Sequence, residues 1–243
     1  MGEFSGKRYW LVGGSDGLGL ALARAMRSEG ADLVISARDA ARLTTVCAEL
    51  GAQPLPMDMA DAASVTRAAQ ALGPIDGVVL LAAVYWPMAA QKLDAARLVA
   101  LCDVNLTGTA RVLGAVLPDM IARGAGHVVL TGSLAGYRGL PGAIGYAASK
   151  AGVMVLAESL YADLRGSGVR VQIANPGFIQ TRLTAQNRFS MPFIMTPKQA
   201  AGHMLRLMRS NRFKSSFPAP FSWLFRYGQA LPDWLWYRMF PRA

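Results

Sequence analysis

The chain has 243 residues, of which 53% are hydrophobic and 16% charged. That balance excludes a disordered chain, and the length suits one α/β domain with a single large fold. The net charge of +10 is lopsided, because residues 1–181 carry 15 basic and 14 acidic side chains while residues 182–243 carry 10 basic and one acidic.

In chain order, YWLVGG predicts a first strand, residues 17–29 a helix, and ADLVISA a second strand. A helical stretch over 39–50, a short strand before Pro56, a helix near 62–71 and the strand IDGVVLLAAV continue the βαβ rhythm. A long helix over about 93–122, the strand HVVLTG, a helix beginning near Gly145 and the strand VRVQIAN follow. Strands this apolar are buried on both faces, so the expected fold is a doubly wound parallel sheet of at least six strands, of Rossmann type. Thr196 before Pro197 reads as an N-cap with proline at the first helical position, opening a helix that runs to near Asn211. From Phe213 the α/β pattern stops and an aromatic, basic, proline-punctuated appendix begins. The expectation is one domain with a core over 7–185, a substrate lid over 182–197, and a C-terminal helix and tail over 197–243.

No apolar run reaches the roughly 18 residues of a bilayer span, and the N-terminus lacks a signal-peptide pattern, so a cytoplasmic protein is expected. Cys47 and Cys102 are far apart without a CxxC partner and read as buried thiols. His127 and His203 stand alone, and no catalytic metal is expected.

The turn GGSDGLG, with Gly13, Gly17 and Gly19, lies between the first strand and the first helix. There backbone amides and the helix dipole can approach a pyrophosphate, and Ser15 and Leu18 complete the turn's share of the cofactor site. Arg38 ends the second strand, where a base holds a ribose 2′-phosphate and an acid a free 2′-hydroxyl, so NADP is favoured over NAD. Asp16 and Asp39 bring opposing charge to that neighbourhood. Asp58, past the third strand, is placed to accept from an adenine amino group.

Tyr146 and Lys150 in YAASK are four residues apart and share a helix face. An ammonium beside a phenol lowers its pKa toward working pH, which suits proton exchange with a carbonyl or alcohol oxygen.

Taken in order, GGSDGLG, Asn105 of DVNLTG, Ser133 of GSLAG, YAASK and NPGFIQT resemble the short-chain dehydrogenase/reductase family over residues 7 to about 185. The resemblance implies a catalytic tetrad of Asn105, Ser133, Tyr146 and Lys150. In it Tyr146 donates the proton, Ser133 polarises the substrate oxygen, Lys150 binds the nicotinamide ribose, and Asn105 holds a water linking Lys150 to solvent. It also assigns Ile179 and Thr181 to the nicotinamide carboxamide, with Pro176 and Gly177 shaping the turn. Where the family has Asn-Asn-Ala-Gly this chain has Leu80, Leu81, Ala82 and Ala83, so bracing hydrogen bonds are lost. Ala82 stays in the expected cofactor set, and a reshaped site is expected. The family's final Asp-Gly-Gly strand ending is absent too.

The lid reads RLTAQNRFSMPFIMTP, and its Met191, Pro192, Phe193, Ile194 and Met195 suit a greasy substrate or plain packing on the core. Further on, Phe217, Phe221, Trp223, Phe225, Trp234, Trp236, Tyr237 and Phe240 interleave with Arg226, Arg238 and Arg242. Such a segment serves peripheral membrane contact or subunit packing, whereas nucleic acid has no accompanying fold. The tail is also loosely similar to family members that reduce 3-keto lipids such as ketosphinganine. The leading expectation is an NADPH-dependent reductase of a hydrophobic ketone, or dehydrogenase of the matching alcohol, assembled as a homodimer or homotetramer. The alternatives are a non-catalytic NADP-binding module and a small-ketone reductase whose tail only builds the oligomer.

Overall fold

Strands that are apolar on both sides need a helical layer on each face of the sheet. The computed structural model, which describes residues 2–187 and 189–240, has that arrangement. Strands β1 (Arg8–Val12), β2 (Asp32–Ser36), β3 (Gln53–Pro54), β4 (Gly77–Leu80), β5 (Gly126–Thr131), β6 (Val169–Pro176) and β7 (Lys214–Phe217) form one parallel sheet. Their order is β3-β2-β1-β4-β5-β6-β7, so the winding reverses between β1 and β4, where ligands of open α/β sheets bind. The helices are α1 (Gly17–Ser28), α2 (Ala40–Leu50), α3 (Ala62–Leu72), α4 (Ala95–Cys102), α5 (Gly108–Ala122), α6 (Ile144–Asp163), α7 (Pro197–Met208), α8 (Phe221–Gly228) and α9 (Asp233–Arg238). Asp16, Asp39, Asp61 and Asp94 cap α1 to α4 by accepting backbone N–H groups at their starts. Thr196 and Gln199 close a capping box at α7.

Two cores sandwich the sheet. Leu11, Leu22, Met26, Ile35, Met204 and Met208 bury the side covered by α1 and α7. Trp10, Val78, Val112, Val128 and Met154 bury the side covered by α3, α5 and α6. Trp10 is fully buried, and its indole N–H donates to Ser36 Oγ at 2.8 Å.

The structure refines the sequence reading in four places. The sheet has a seventh strand, KSSF, where the α/β pattern was expected to stop at Phe213. As an edge strand it needs little apolar surface, and only Phe217 is buried. Helix α7 packs in the main core, and α8 and α9 form the appendix expected after Phe213. The expected long helix 93–122 runs continuously from Ala95 to Ala122, with a π turn at Asp103–Thr107 that carries Asn105. Although no apolar run of bilayer length was expected, the helical run Ala95–Ala122 is long and apolar enough to cross a membrane. Packing against α3 and α6 and an Arg111–Asp103 ion pair at 2.9 Å account for it as a core element.

Cys47 is buried and Cys102 half-buried, both free. His127 is buried between Tyr9, Gln172 and Arg170, and desolvation pushes its pKa down to about 3. His203 stacks on Phe217 at 4.7 Å. Among the described residues no three His, Cys, Asp or Glu side chains converge as a metal site. Arg188 and Arg242, counted above in the basic tail, lie outside the described residues.

Candidate active site

The carboxyl ends of the central strands open into a cavity of about 1320 Å³. It is lined by Gly13, Ser15, Gly17, Leu18, Gly19, Arg38, Asp58, Ala82, Ser133, Tyr146, Lys150, Pro176, Gly177, Ile179 and Thr181. Of the predicted site residues only Asn105 is not on its wall.

The glycine turn is built for close approach. Gly13 has φ +93, and a Cβ there would lie 2.5 Å from the backbone nitrogen of Ala82. A Cβ on Gly19 would run into the Gly13 carbonyl oxygen, and one on Gly17 would lie 2.9 Å from the Thr181 methyl. Only glycine leaves the cradle that a dinucleotide backbone needs between β1 and the NPGFIQT segment.

At the far end of that cradle the opposing acids are already paired. Asp39 meets Arg42 at 3.2 Å, and Asp16 sits between Arg42 at 3.8 Å and Arg182. Arg38 is exposed on the cavity wall and enters no ion pair among the described residues, so its guanidinium is left to meet a ligand. Arg42 was missed by the sequence reading; it lies in the first turn of α2, just past Arg38 and the N-cap Asp39, and lines the same end of the cavity. Asp58 accepts from Ala60 N through Oδ1 at 2.9 Å, capping its own turn while facing the cavity.

The catalytic candidates are assembled by β5 and α6. Ser133 follows the end of β5, and its hydroxyl accepts from Ala135 N at 3.1 Å. Lys150 is 3% exposed, and its ammonium donates to the Thr131 carbonyl at 2.8 Å. Burial with that one neutral partner lowers its pKa to about 8.

Tyr146 corrects the expectation of a lowered phenol pKa. Burial dominates and pushes it up to about 12, and only a hydrogen-bonding interaction with Ser133 works the other way. The Lys150 nitrogen lies 5.9 Å from the Tyr146 ring centre, and its hydrogen bond goes to Thr131 O rather than to the phenol. Without cofactor the phenol is therefore neutral at pH 7, which is the form that donates a proton.

Asn105 is a brace. Its Oδ1 accepts from Val84 N at 2.8 Å, and its Nδ2 donates to Val84 O at 3.0 Å and to Ser149 Oγ at 3.1 Å. Ser149 then donates to the Tyr146 carbonyl at 2.9 Å. This chain ties the loop after β4, the π turn and α6 together, and it uses both amide hydrogens, leaving the second lone pair of Oδ1 as the side chain's free site. The lost amides of the Leu80–Ala83 run are replaced in part here and in part by Leu81 N and Ala82 N, which both donate to Val12 O at 2.9 Å. The expected loosening of that strand end is thus offset by backbone bonds.

Tyr85 was not foreseen. Its ring stands edge-on to Tyr146 at 4.9 Å, and its hydroxyl donates to Asn187 Oδ1 at 2.8 Å, hanging the lid on the loop after β4. The lid's apolar contribution to the cavity is Leu183, Phe189 and Pro192; Met195 is buried in the main core and bridges to Ile179. Phe178, Phe221, Leu224, Phe225 and Phe240 complete an apolar wall opposite the cradle.

The sequence profile of the short chain dehydrogenase family matches residues 7–191. The chain is 36% identical to an uncharacterised oxidoreductase of Myxococcus xanthus over 242 residues, covering 96% of each chain. It is 30% identical to the ketoacyl reductase HetN of Nostoc, covering 86% of this chain and 78% of that one. Among solved structures, a short-chain dehydrogenase from Sphingobium yanoikuyae in complex with NADPH superposes with a TM-score of 0.82 at 25% identity, covering 92% of this chain and 94% of that chain.

Proposed function

The chain belongs to the short-chain dehydrogenase/reductase family of oxidoreductases, and within it we propose an NADPH-dependent reductase of hydrophobic, lipid-like ketones that also oxidises the matching secondary alcohols. The observation that carries this reading is one cavity with three distinct walls: a glycine cradle ending in arginines, a Ser133–Tyr146–Lys150 cluster, and an aromatic face. The bound nicotinamide supplies the hydride. Arg38 and Arg42 would hold the 2′-phosphate and Asp58 the adenine amino group. Lys150 would hold the nicotinamide ribose, and Ile179 and Thr181 the carboxamide.

Ser133 orients the substrate carbonyl and donates a hydrogen bond to the oxygen as its charge grows, and Tyr146 delivers the proton. A phenol held neutral by burial favours reduction. Oxidation needs the phenolate, which the ammonium of Lys150 would favour together with the charge of an oxidised nicotinamide. The proximity of Tyr85 and the lid excludes water from this step. The likeness to a ketoacyl reductase supports an acyl-chain ketone, and the likeness to an NADPH complex supports the cofactor.

Two finer readings rest on surfaces. Exposed Val99, Ile121, Val155 and Tyr161 on α4, α5 and α6 favour a homodimer or homotetramer built by helix packing. Exposed Trp223, Leu224, Tyr227, Trp234 and Tyr237, with Arg226 and Arg238 between them, favour peripheral contact with an anionic bilayer, and Leu224 also lines the cavity.

The deciding experiment follows NADPH loss with ketones graded from short and polar to long-chain acyl. Rising kcat/KM with chain length supports the proposal. Turnover confined to small ketones overturns the lipid part, and tight NADPH binding with no turnover anywhere overturns catalysis.

A further inference from the structure

The loop leaving β5 carries Ser133 at its start and Leu140 to Ala143 against the cavity at its end. Between them Arg138 grips the C-terminal hairpin. Its Nη1 donates to the carbonyl oxygens of Gly228 at 2.6 Å and Leu231 at 2.7 Å, the end of α8 and the start of the link to α9. Its Nη2 pairs with Asp233, the sole acid of residues 182–243. Its guanidinium carbon lies 5.3 Å from the Trp236 ring centre and 5.7 Å from that of Tyr237.

The Arg138 side chain is only 14% exposed, and Trp236, which is fully buried, donates its indole N–H to Gly139 O at 3.3 Å. One residue therefore ties the end of α8 to the link before α9 through two carbonyls, pairs the acid of α9 and covers an indole face.

What this grip holds matters to the site. Trp236 packs edge-on against Phe225 at 6.0 Å and Phe240 at 5.0 Å, and both phenylalanines line the cavity. Leu134, Phe225 and Trp236 form a small core separate from the two that sandwich the sheet. The position of the apolar wall thus depends on this cluster rather than on the sheet.

Building on the ketone-reductase reading above, we propose that Arg138 is a positioning residue that locks the α8–α9 hairpin as the far wall of the cavity and so sets the length of apolar chain the site accepts. Arg138 touches neither the cradle nor the Ser133–Tyr146–Lys150 cluster through any hydrogen bond of the described residues.

The test compares wild type, Arg138→Met and Arg138→Lys on the graded ketones with NADPH, beside trypsin digestion of the NADPH-bound proteins. Methionine keeps the apolar stem and removes every donor, while lysine keeps a donor and the charge without the fork. Arg138→Met is expected to raise KM for the longest ketone by about tenfold while kcat for the shortest and the NADPH Kd stay within about twofold, with Arg138→Lys in between. Cleavage after Arg226 or Arg238 is expected to accelerate in the order wild type, Lys, Met.

Equal losses on short and long ketones, or no change on either, overturn the proposal. If wild type turns over no ketone, the reductase reading falls by itself. The trypsin arm then still decides the grip, since identical digestion of all three proteins would refute it.

Discussion

Replacing Lys150 by methionine is expected to destroy turnover and stabilise the cofactor-free protein. The ammonium is 3% exposed with one neutral partner, the Thr131 carbonyl at 2.8 Å, and burial lowers its pKa from 10.5 to about 8. Each tenfold change in proton affinity is about 1.4 kcal/mol, so holding the charge at pH 7 costs the fold on the order of 3 kcal/mol. Methionine fills a similar volume without charge but leaves Thr131 O unpaired, a loss of about 1 kcal/mol. The net gain of about 2 kcal/mol corresponds to a Tm rise of roughly 4–8 °C for a domain of this size.

The pH dependence gives a second readout. Between about 8 and 10.5 the unfolded chain binds a proton that the folded chain has released, so stability rises with pH across that window. Calorimetry from pH 7 to 10 should show wild type gaining on Lys150→Met and the gap closing toward pH 10. A variant less stable than wild type at pH 7, or a gap that does not change with pH, would refute the picture of a lysine kept charged at a cost.

Tyr146→Phe is expected to lower kcat by about 10²–10⁴ while the NADPH Kd, measured by fluorescence titration, stays within about twofold. Arg38→Ala and Arg42→Ala should each weaken NADPH binding by about tenfold or more and leave NADH nearly unchanged, which equilibrium titration with both cofactors checks. Gly19→Ala should abolish NADPH binding, because its methyl would occupy the space of the Gly13 carbonyl oxygen. Exchanging the exposed Trp223 and Trp234 for serine should remove the protein from floated anionic vesicles without lowering its Tm; recovery equal to wild type would eliminate the membrane reading.

The strands and the cradle were legible because their signals are local. Apolar runs predict buried parallel strands, and glycine at three positions of one turn predicts a close approach that the Gly13–Ala82 and Gly19–Gly13 contacts display. β7 was not legible because an edge strand needs no apolar run, and KSSF buries only its phenylalanine. The π turn at Asp103–Thr107 was hidden for a different reason. Its cause is tertiary, since Asn105 reaches Val84 and Ser149, residues 21 and 44 positions away. The same holds for Tyr85 beside Tyr146 and for Arg138 beneath the hairpin, whose partners lie 90 to 95 residues on. The Tyr146 pKa went astray because helical spacing places a lysine nearby but says nothing of burial, and here desolvation outweighs charge.

Chemistry and selectivity are held by different parts of this fold. Ser133, Tyr146 and Lys150 stand on β5 and α6, in contact with a core that sandwiches seven strands, so their geometry is fixed by the most cooperative part of the molecule. The aromatic wall hangs on a satellite cluster of three buried residues and one guanidinium. Its local opening therefore requires far less than global unfolding. Under the proposed ketone-reductase reading, substrate entry uses that opening without disturbing Tyr146, and changes in residues 213–240 alter the accepted substrate while the Tyr146–Lys150 pair stays in place. Trp234, at 69% exposure, contributes nothing to the cores, so under the proposed surface reading its replacement leaves the fold intact and changes only contacts outside the chain.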